Sequence, residues 1–166
     1  MGRLIRQIVL VGLVFLAGYT FGLRQVRFFQ ITSSSMAPTL EINDRVASMK
    51  IDYPTRGMIV ILRDPGGKGE ILTKRVIGLP GERFEVRDGY VYINNEKLDE
   101  PYIKEAARYE IDAVVVPESC FILLGDNRNN SEDSSIWGPV EEELLIGQVF
   151  CRYWPIKKFG FFFRTE

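Results

Sequence analysis

The residues best suited to chemistry are a serine and a lysine far apart in the chain. Ser35 ends the hydroxyl-rich run Thr32-Ser33-Ser34-Ser35 and is followed by Met36-Ala37-Pro38-Thr39-Leu40; Lys74 opens Lys74-Arg75-Val76-Ile77-Gly78-Leu79-Pro80-Gly81-Glu82. The 166 residues include no histidine. That absence excludes a Ser-His-Asp triad, His-ligated zinc and histidine-ligated haem. A serine nucleophile here needs a different base. A lysine can serve when burial lowers its pKa from about 10.4 and leaves a neutral amine to accept the serine proton.

Both residues also have plain structural readings. A hydroxyl run before a proline is commonly a turn or cap, with Pro38 holding its own φ and biasing Ala37 towards an extended conformation. In a strand over residues 71–77, the period of two sets Leu72, Lys74 and Val76 on one face and Ile71, Thr73 and Arg75 on the other. A lysine on such an apolar face snorkels, pairs with a carboxylate or loses its proton. The residues alone leave these alternatives open.

The elements that must position them read mostly as strands. Residues 84–87 and 90–93 flank Asp88-Gly89, a strong two-residue hairpin signal. Residues 58–62 form a buried strand, followed by a variable surface loop over 63–67. A strand over 71–77 ends at Leu79-Pro80-Gly81-Glu82. Further strands fall at 113–116, 120–124 and 147–154; a polar stretch over 94–109 caps the hairpin, and 125–135 is an elaborate polar loop. No helix-period stretch of length follows residue 28, so the predicted fold is mostly β, an antiparallel catalytic unit over 29–166 with 83–115 as a smaller subdomain or cap.

The N-terminus differs from the rest. Residues 8–23 (IVLVGLVFLAGYTFGL) carry no charge and lie between Arg3 and Arg6 on one side and Arg24 and Arg27 on the other. Extended to Leu4, with Arg6 snorkelling, the segment reaches the roughly 20 residues that cross a bilayer. No small-x-small cleavage site follows in Arg24-Gln25-Val26-Arg27-Phe28-Phe29, so residues 1–28 are predicted to be a short N-terminus and an uncleaved transmembrane anchor, in preference to a cleaved signal peptide or a buried core helix. Flanking arginines on both sides leave its orientation undecided by charge.

Composition adds exclusions. Lys and Arg number 21 against 22 Asp and Glu, a net charge of −1, which is no nucleic-acid footprint. Cys120 and Cys151 read as two buried thiols rather than a disulfide, and no cofactor or metal is expected. The run Phe159-Gly160-Phe161-Phe162-Phe163, beside Lys157, Lys158 and Arg164, reads as a core strand, narrowly ahead of an apolar edge in the lipid interface. Asn129-Asn130-Ser131 fits a glycosylation acceptor only formally.

Taken in order, Ser33-x-Ser35-Met36-x-Pro38-Thr39-Leu40, the Lys74-to-Glu82 block and Gly125-Asp126-Asn127-Arg128-Asn129-Asn130-Ser131-x-Asp133-Ser134 resemble the signature blocks of type I signal peptidases. Asn43-Asp44-x-Val46 matches a weaker block. The resemblance implies a membrane-bound Ser-Lys endopeptidase with an antiparallel β catalytic fold, releasing signal peptides from secreted precursors after small residues in an Ala-x-Ala pattern. Carried over by position, Ser35 is the nucleophile and Lys74 its general base. The Ser35 N–H and the Ser33 hydroxyl form the oxyanion hole, and Ser131 orients the lysine. Arg75, Asp126, Arg128 and Asp133 support the site, with Arg75 partnering one of those carboxylates. The family pattern continues Asp-Ser-Arg where this chain has Asp133-Ser134-Ser135, which leaves the partner of Asp133 open. The implied partners are signal-peptide-bearing precursors and membrane lipid, with a monomeric catalytic unit on the trans side of the plasma membrane; a thylakoid or other organelle membrane is the alternative. Two other readings stand beside this one: a self-cleaving Ser-Lys protease, and a noncatalytic membrane-tethered β domain that binds secreted proteins.

Overall fold

The computed structural model describes residues 26–51 and 53–162. The predicted membrane span over residues 4–23 lies outside them. Among the described residues no helix is long and apolar enough to cross a membrane.

Eight strands form the main antiparallel sheet: β1 (Val26–Gln30), β2 (Arg45–Met49), β3 (Ile59–Arg63), β4 (Ile71–Gly78), β9 (Cys120–Leu124), β10 (Val140–Glu141), β11 (Leu145–Trp154) and β12 (Gly160–Phe161). Their order is β1-β2-β11-β3-β4-β9-β10, with β12 beside β11. The remaining four, β5 (Arg83–Arg87), β6 (Tyr90–Ile93), β7 (Glu96–Lys97) and β8 (Ile111–Val115), make a second sheet in the order β7-β6-β5-β8. The fold is thus mostly antiparallel β.

Turn chemistry explains the β5–β6 hairpin. Arg87 pairs with Tyr90, and the two residues between them, Asp88 and Gly89, take φ of 53° and 79°. Positive φ at both central positions gives the turn a twist that matches its strands.

Strand β4 is buried on both faces from Lys74 onward, whereas its first three residues are exposed or half-buried. Val76 enters a cluster with Val60, Leu62, Phe121, Leu123 and Val140. Its neighbour Ile77 enters another, where Ile122 and Leu124 of the main sheet meet Phe84, Val86, Val91 and Ile93 of the second. The pleat therefore sends adjacent residues into separate layers. A third cluster joins Ile31, Met36, Leu40, Val46, Ile59, Ile61 and Val149.

Several elements depart from the sequence expectations or were not foreseen by them. β2 has few large apolar residues, and it is specified by its place between β1 and β11 rather than by its own pattern. β1 begins at Val26, so strand pairing occupies residues 26–28, which the sequence reading gave to the end of the anchor. β8 begins at Ile111, two residues before its expected start. Ser134–Trp137 form a one-turn helix, α1, that starts in the expected loop and runs past its end, capped by Asp133 accepting from Ser135 N. The aromatic run is not a core strand. β12 is two residues long and pairs with Cys151 and Arg152, past the end of the β3 pairing, so Phe159 and Phe161 remain 55% and 53% exposed. Only Phe162 packs against a core cluster; Phe163 lies outside the described residues. Cys151 is buried and Cys120 half-buried, and both are free thiols.

Candidate active site

Ser35 is presented by a loop closed at its neck and plugged into the core. Ile31 N donates to Asp44 O (2.8 Å) and Asn43 N to Ile31 O (2.9 Å). Met36 and Leu40 are 1% and 0% exposed and pack in the cluster with Val46 of β2, Ile59 and Ile61 of β3 and Val149 of β11, while Ala37 N to Ser34 O (3.0 Å) and Leu40 N to Met36 O (2.9 Å) tighten the turn. From β11, Arg152 Nη1 reaches Thr39 O (2.9 Å) and Asp44 Oδ2 (3.0 Å). The serine consequently rides on a rigid turn. Its hydroxyl lies 3.1 Å from Ser33 Oγ.

The loop after β9 grips this turn. Asn127 N donates to Ser35 O (3.0 Å), Asn127 Nδ2 to Ser34 O (3.1 Å) and Asn130 Nδ2 to Ser34 Oγ (3.1 Å). Gly125 sits where the segments are closest: a Cβ there would collide with Ser131 Oγ and the Ser35 carbonyl oxygen. Both backbone groups of Gly125 are held, its N–H by Asp133 Oδ2 (2.8 Å) and its carbonyl by Arg128 Nε (3.2 Å). Ser131 Oγ, buried in this region, makes no hydrogen bond to the protein among the described residues.

Lys74 completes the arrangement from β4. It is 2% exposed and lies on the face of Leu72. Burial pushes its pKa below the ordinary value of 10.5, against an opposing pull from the Asp133 and Glu132 carboxylates. Among the described residues it makes no ion pair. Ser33, Ser35, Lys74 and Ser131 all line one cleft of about 470 Å³, with Leu72 and Trp137 as its apolar walls.

Arg75 points away from the cleft and joins Asp126 through two bonds, Nε to Oδ1 (2.8 Å) and Nη2 to Oδ2 (2.6 Å). Its Nη1 donates to Gly57 O (2.8 Å), and its guanidinium lies 3.9 Å from the centre of the Tyr102 ring. Thr39 also donates to Asp126, so one carboxylate ties the serine loop to the residue beside Lys74. Planar, two-point pairing of this kind fixes orientation as well as distance.

Arg128 and Asp133, which share a loop, do not pair with each other. The Arg128 guanidinium binds Glu100, Nη1 to Oε2 (2.8 Å) and Nη2 to Oε1 (2.6 Å), with both side chains almost fully buried. Tyr102 donates to the same Glu100 (2.8 Å). Sequence reasoning missed Glu100 and Tyr102, because an acid in a polar stretch looks solvated; the one available hint was an acid and an aromatic around Pro101. Asp133, at 0% exposure, accepts from Gly125 N and from Ser135 N (3.0 Å). Backbone amides therefore satisfy the carboxylate where the family pattern has an arginine.

Comparison with known proteins identifies this combination of β fold and cleft. The family profile "Signal peptidase, peptidase S26" matches residues 1–154. The probable signal peptidase I-2 of Synechocystis sp. is 45% identical over 139 residues, covering 78% of this chain and 64% of that protein. Signal peptidase I of Leptolyngbya laminosa is 43% identical over 141 residues, covering 78% and 70%. Among solved structures, a signal peptidase I from Enterococcus faecalis V583 is 33% identical with a TM-score of 0.54, covering 60% of this chain and 98% of that one. The chain belongs to the signal peptidase family, peptidase S26. It spans slightly less than two thirds of the Synechocystis relative's length.

Proposed function

We propose that this protein is a membrane-bound serine endopeptidase that removes N-terminal signal peptides from precursor proteins through a Ser35–Lys74 dyad. The observation that carries the reading is a buried lysine with no ion-pair partner among the described residues, in the same cleft as a serine held on a rigid turn. A buried structural lysine ordinarily forms an ion pair. Lys74 forms none among the described residues, and burial shifts it towards the neutral amine against the pull of Asp133 and Glu132.

Lys74 Nζ takes the Ser35 Oγ proton as that oxygen attacks the scissile carbonyl carbon. The negative charge on the carbonyl oxygen is met by the Ser35 N–H and by the Ser33 hydroxyl, which turns from Ser35 Oγ to do so. Lys74 passes the proton to the departing amine, the C–N bond breaks, and the same lysine then deprotonates the water that hydrolyses the acyl-serine. Ser131 Oγ, without a hydrogen-bond partner among the described residues, is the group to hold the amine between these steps. Arg75, Asp126, Arg128 and Asp133 keep the two loops in register.

The sheet offers a place for the substrate. β9 pairs with β4 only from Arg75 onward, so the edge of Ile71–Thr73 on that side is unpaired by β9. A groove of about 520 Å³, lined by Phe29, Ile31, Ile61, Ile71 and Leu72, runs between this edge and the chain approaching Ser33. An extended signal peptide added here points its first and third residues before the cut at one wall, which favours small side chains at both. Lipid contact is supported by the exposed Phe28, Trp154, Ile156, Phe159 and Phe161, set around β1 and the C-terminal end of β11. β1 directly follows the apolar N-terminal segment, which would place the catalytic unit at the surface of a single-pass membrane protein.

Incubating the full chain with a precursor and mapping the new N-terminus tests the reading. One cut after an Ala-x-Ala-like site, lost in Ser35→Ala, is the expected result. Binding without cleavage supports a noncatalytic module, and a cut confined to the enzyme itself supports self-cleavage.

A further inference from the structure

A salt bridge at the dyad cleft remains unused by the mechanism. It starts in the β3–β4 connection, which the sequence reading treated as a variable surface loop. Asp64 is only 7% exposed, and its carboxylate collects Gly66 N (3.0 Å) and Lys68 N (2.8 Å). Asp64 N donates to Glu70 O (3.0 Å), and Gly67 and Gly69 both take φ of 75°, a backbone path open to glycine. The loop so built directs Lys68 to Glu132, with Nζ at 2.9 Å from Oε1 and 3.2 Å from Oε2. Glu132 stands between Ser131 and Asp133 in the chain. Lys68, Glu132 and Lys74 line the same cleft.

We propose that the Lys68–Glu132 bridge positions charge for the catalytic lysine: Lys68 offsets the Glu132 carboxylate at the cleft, so that this charge does not add to that of Asp133 beside the Lys74 amine. The inference rests on Lys74 being the base. The charged groups around Lys74 are Asp133 and Glu132 from the catalytic loop and Asp64, Lys68 and Glu70 from the β3–β4 connection; the Ser33–Ser35 segment contributes hydroxyls only. Asp133 is occupied by two amides and Asp64 by two more. The Glu132 charge is balanced from the other side of the cleft. Removing Lys68 leaves a negative charge that favours the ammonium form of Lys74. Removing Glu132 leaves a positive charge that favours the amine. The two changes therefore act with opposite sign, which a merely structural bridge would not do.

The test uses the full chain in detergent micelles as wild type, Lys68→Met, Glu132→Gln and the double variant. The Lys74 titration is followed by NMR of isotope-labelled lysine, assigned by the signal lost in Lys74→Met, and the acidic limb of kcat/KM is measured on a precursor. At low salt the Lys74 midpoint should rise by about half a pH unit in Lys68→Met and fall by a similar amount in Glu132→Gln, the scale of an exposed charge pair. The double variant should return close to wild type, and the differences should shrink near 1 M salt, where screening acts within about 3 Å. Midpoints that do not move, or move in the same direction in both single variants, overturn the proposal. Opposite NMR shifts with a kinetic limb that ignores them support the bridge and overturn the dyad. A Lys74-dependent limb with unmoved midpoints does the reverse.

Discussion

Replacing Lys74 with methionine should make the protein inactive and more stable at neutral pH. The side chain is 2% exposed, and burial holds its pKa below 10.5 despite the nearby Asp133 and Glu132. Between the folded-state pKa and 10.5 the unfolded chain binds more protons than the folded one, so wild-type stability rises with pH across that window. Below the window the full cost of the buried group is present, at about 1.4 kcal/mol for each unit of depression. Methionine has similar length, fills the apolar wall beside Leu72 and carries no charge. The expected gain is about 1–3 kcal/mol, the mutational cost of an unpaired buried polar group, or roughly 2–10 °C in Tm for a domain of this size. Asp133 loses a nearby cation but keeps its bonds from Gly125 N and Ser135 N, so the gain is not cancelled. Urea unfolding of both proteins at about pH 7 and pH 10, with precursor cleavage measured on the same samples, is the assay. The stability gap should narrow at the higher pH. A less stable Lys74→Met protein at pH 7, or a gap that widens with pH, refutes the picture of a lysine kept in the fold at a cost for its chemistry.

Two further outcomes are expected. Ser33→Ala should slow single-turnover acylation by about 10²–10³-fold with an unchanged Tm, because Ser33 is an exposed residue whose Oγ lies only 3.1 Å from the nucleophile; unchanged acylation in the folded variant removes Ser33 from the oxyanion hole. Glu100→Gln should lower the unfolding free energy by about 3–5 kcal/mol, since Arg128 would stay charged and buried with its two-point partner neutralised; a loss under 1 kcal/mol in urea unfolding would show that the pair is dispensable.

Local rules made much of this protein legible before any coordinates. Asp88-Gly89 specifies its hairpin because only a few residue pairs accept positive φ twice in succession. The pleat of β4 separates Lys74 from Arg75 whatever surrounds the strand, so the burial of one beside Leu72 and the turning away of the other were readable from alternation. The absence of histidine restricted the chemistry without reference to shape. What lay beyond reach depended on chain segments meeting across long separations. Glu100 looks like a solvated acid until the second sheet docks on β4 and β9 and encloses it with Arg128, 28 positions away. Asp133 seemed to lack a partner because backbone amides carry no letter in a sequence. β2 exists through its two neighbours, and Phe159 and Phe161 near the C-terminus stay exposed because the short strand there pairs past the end of β3. The Lys68–Glu132 bridge arises only when two loops, 64 positions apart at that contact, are brought to the same cleft. Periodicity and turn preference act within a few residues, whereas ion pairs and edge contacts are settled by which segments the packed core brings together.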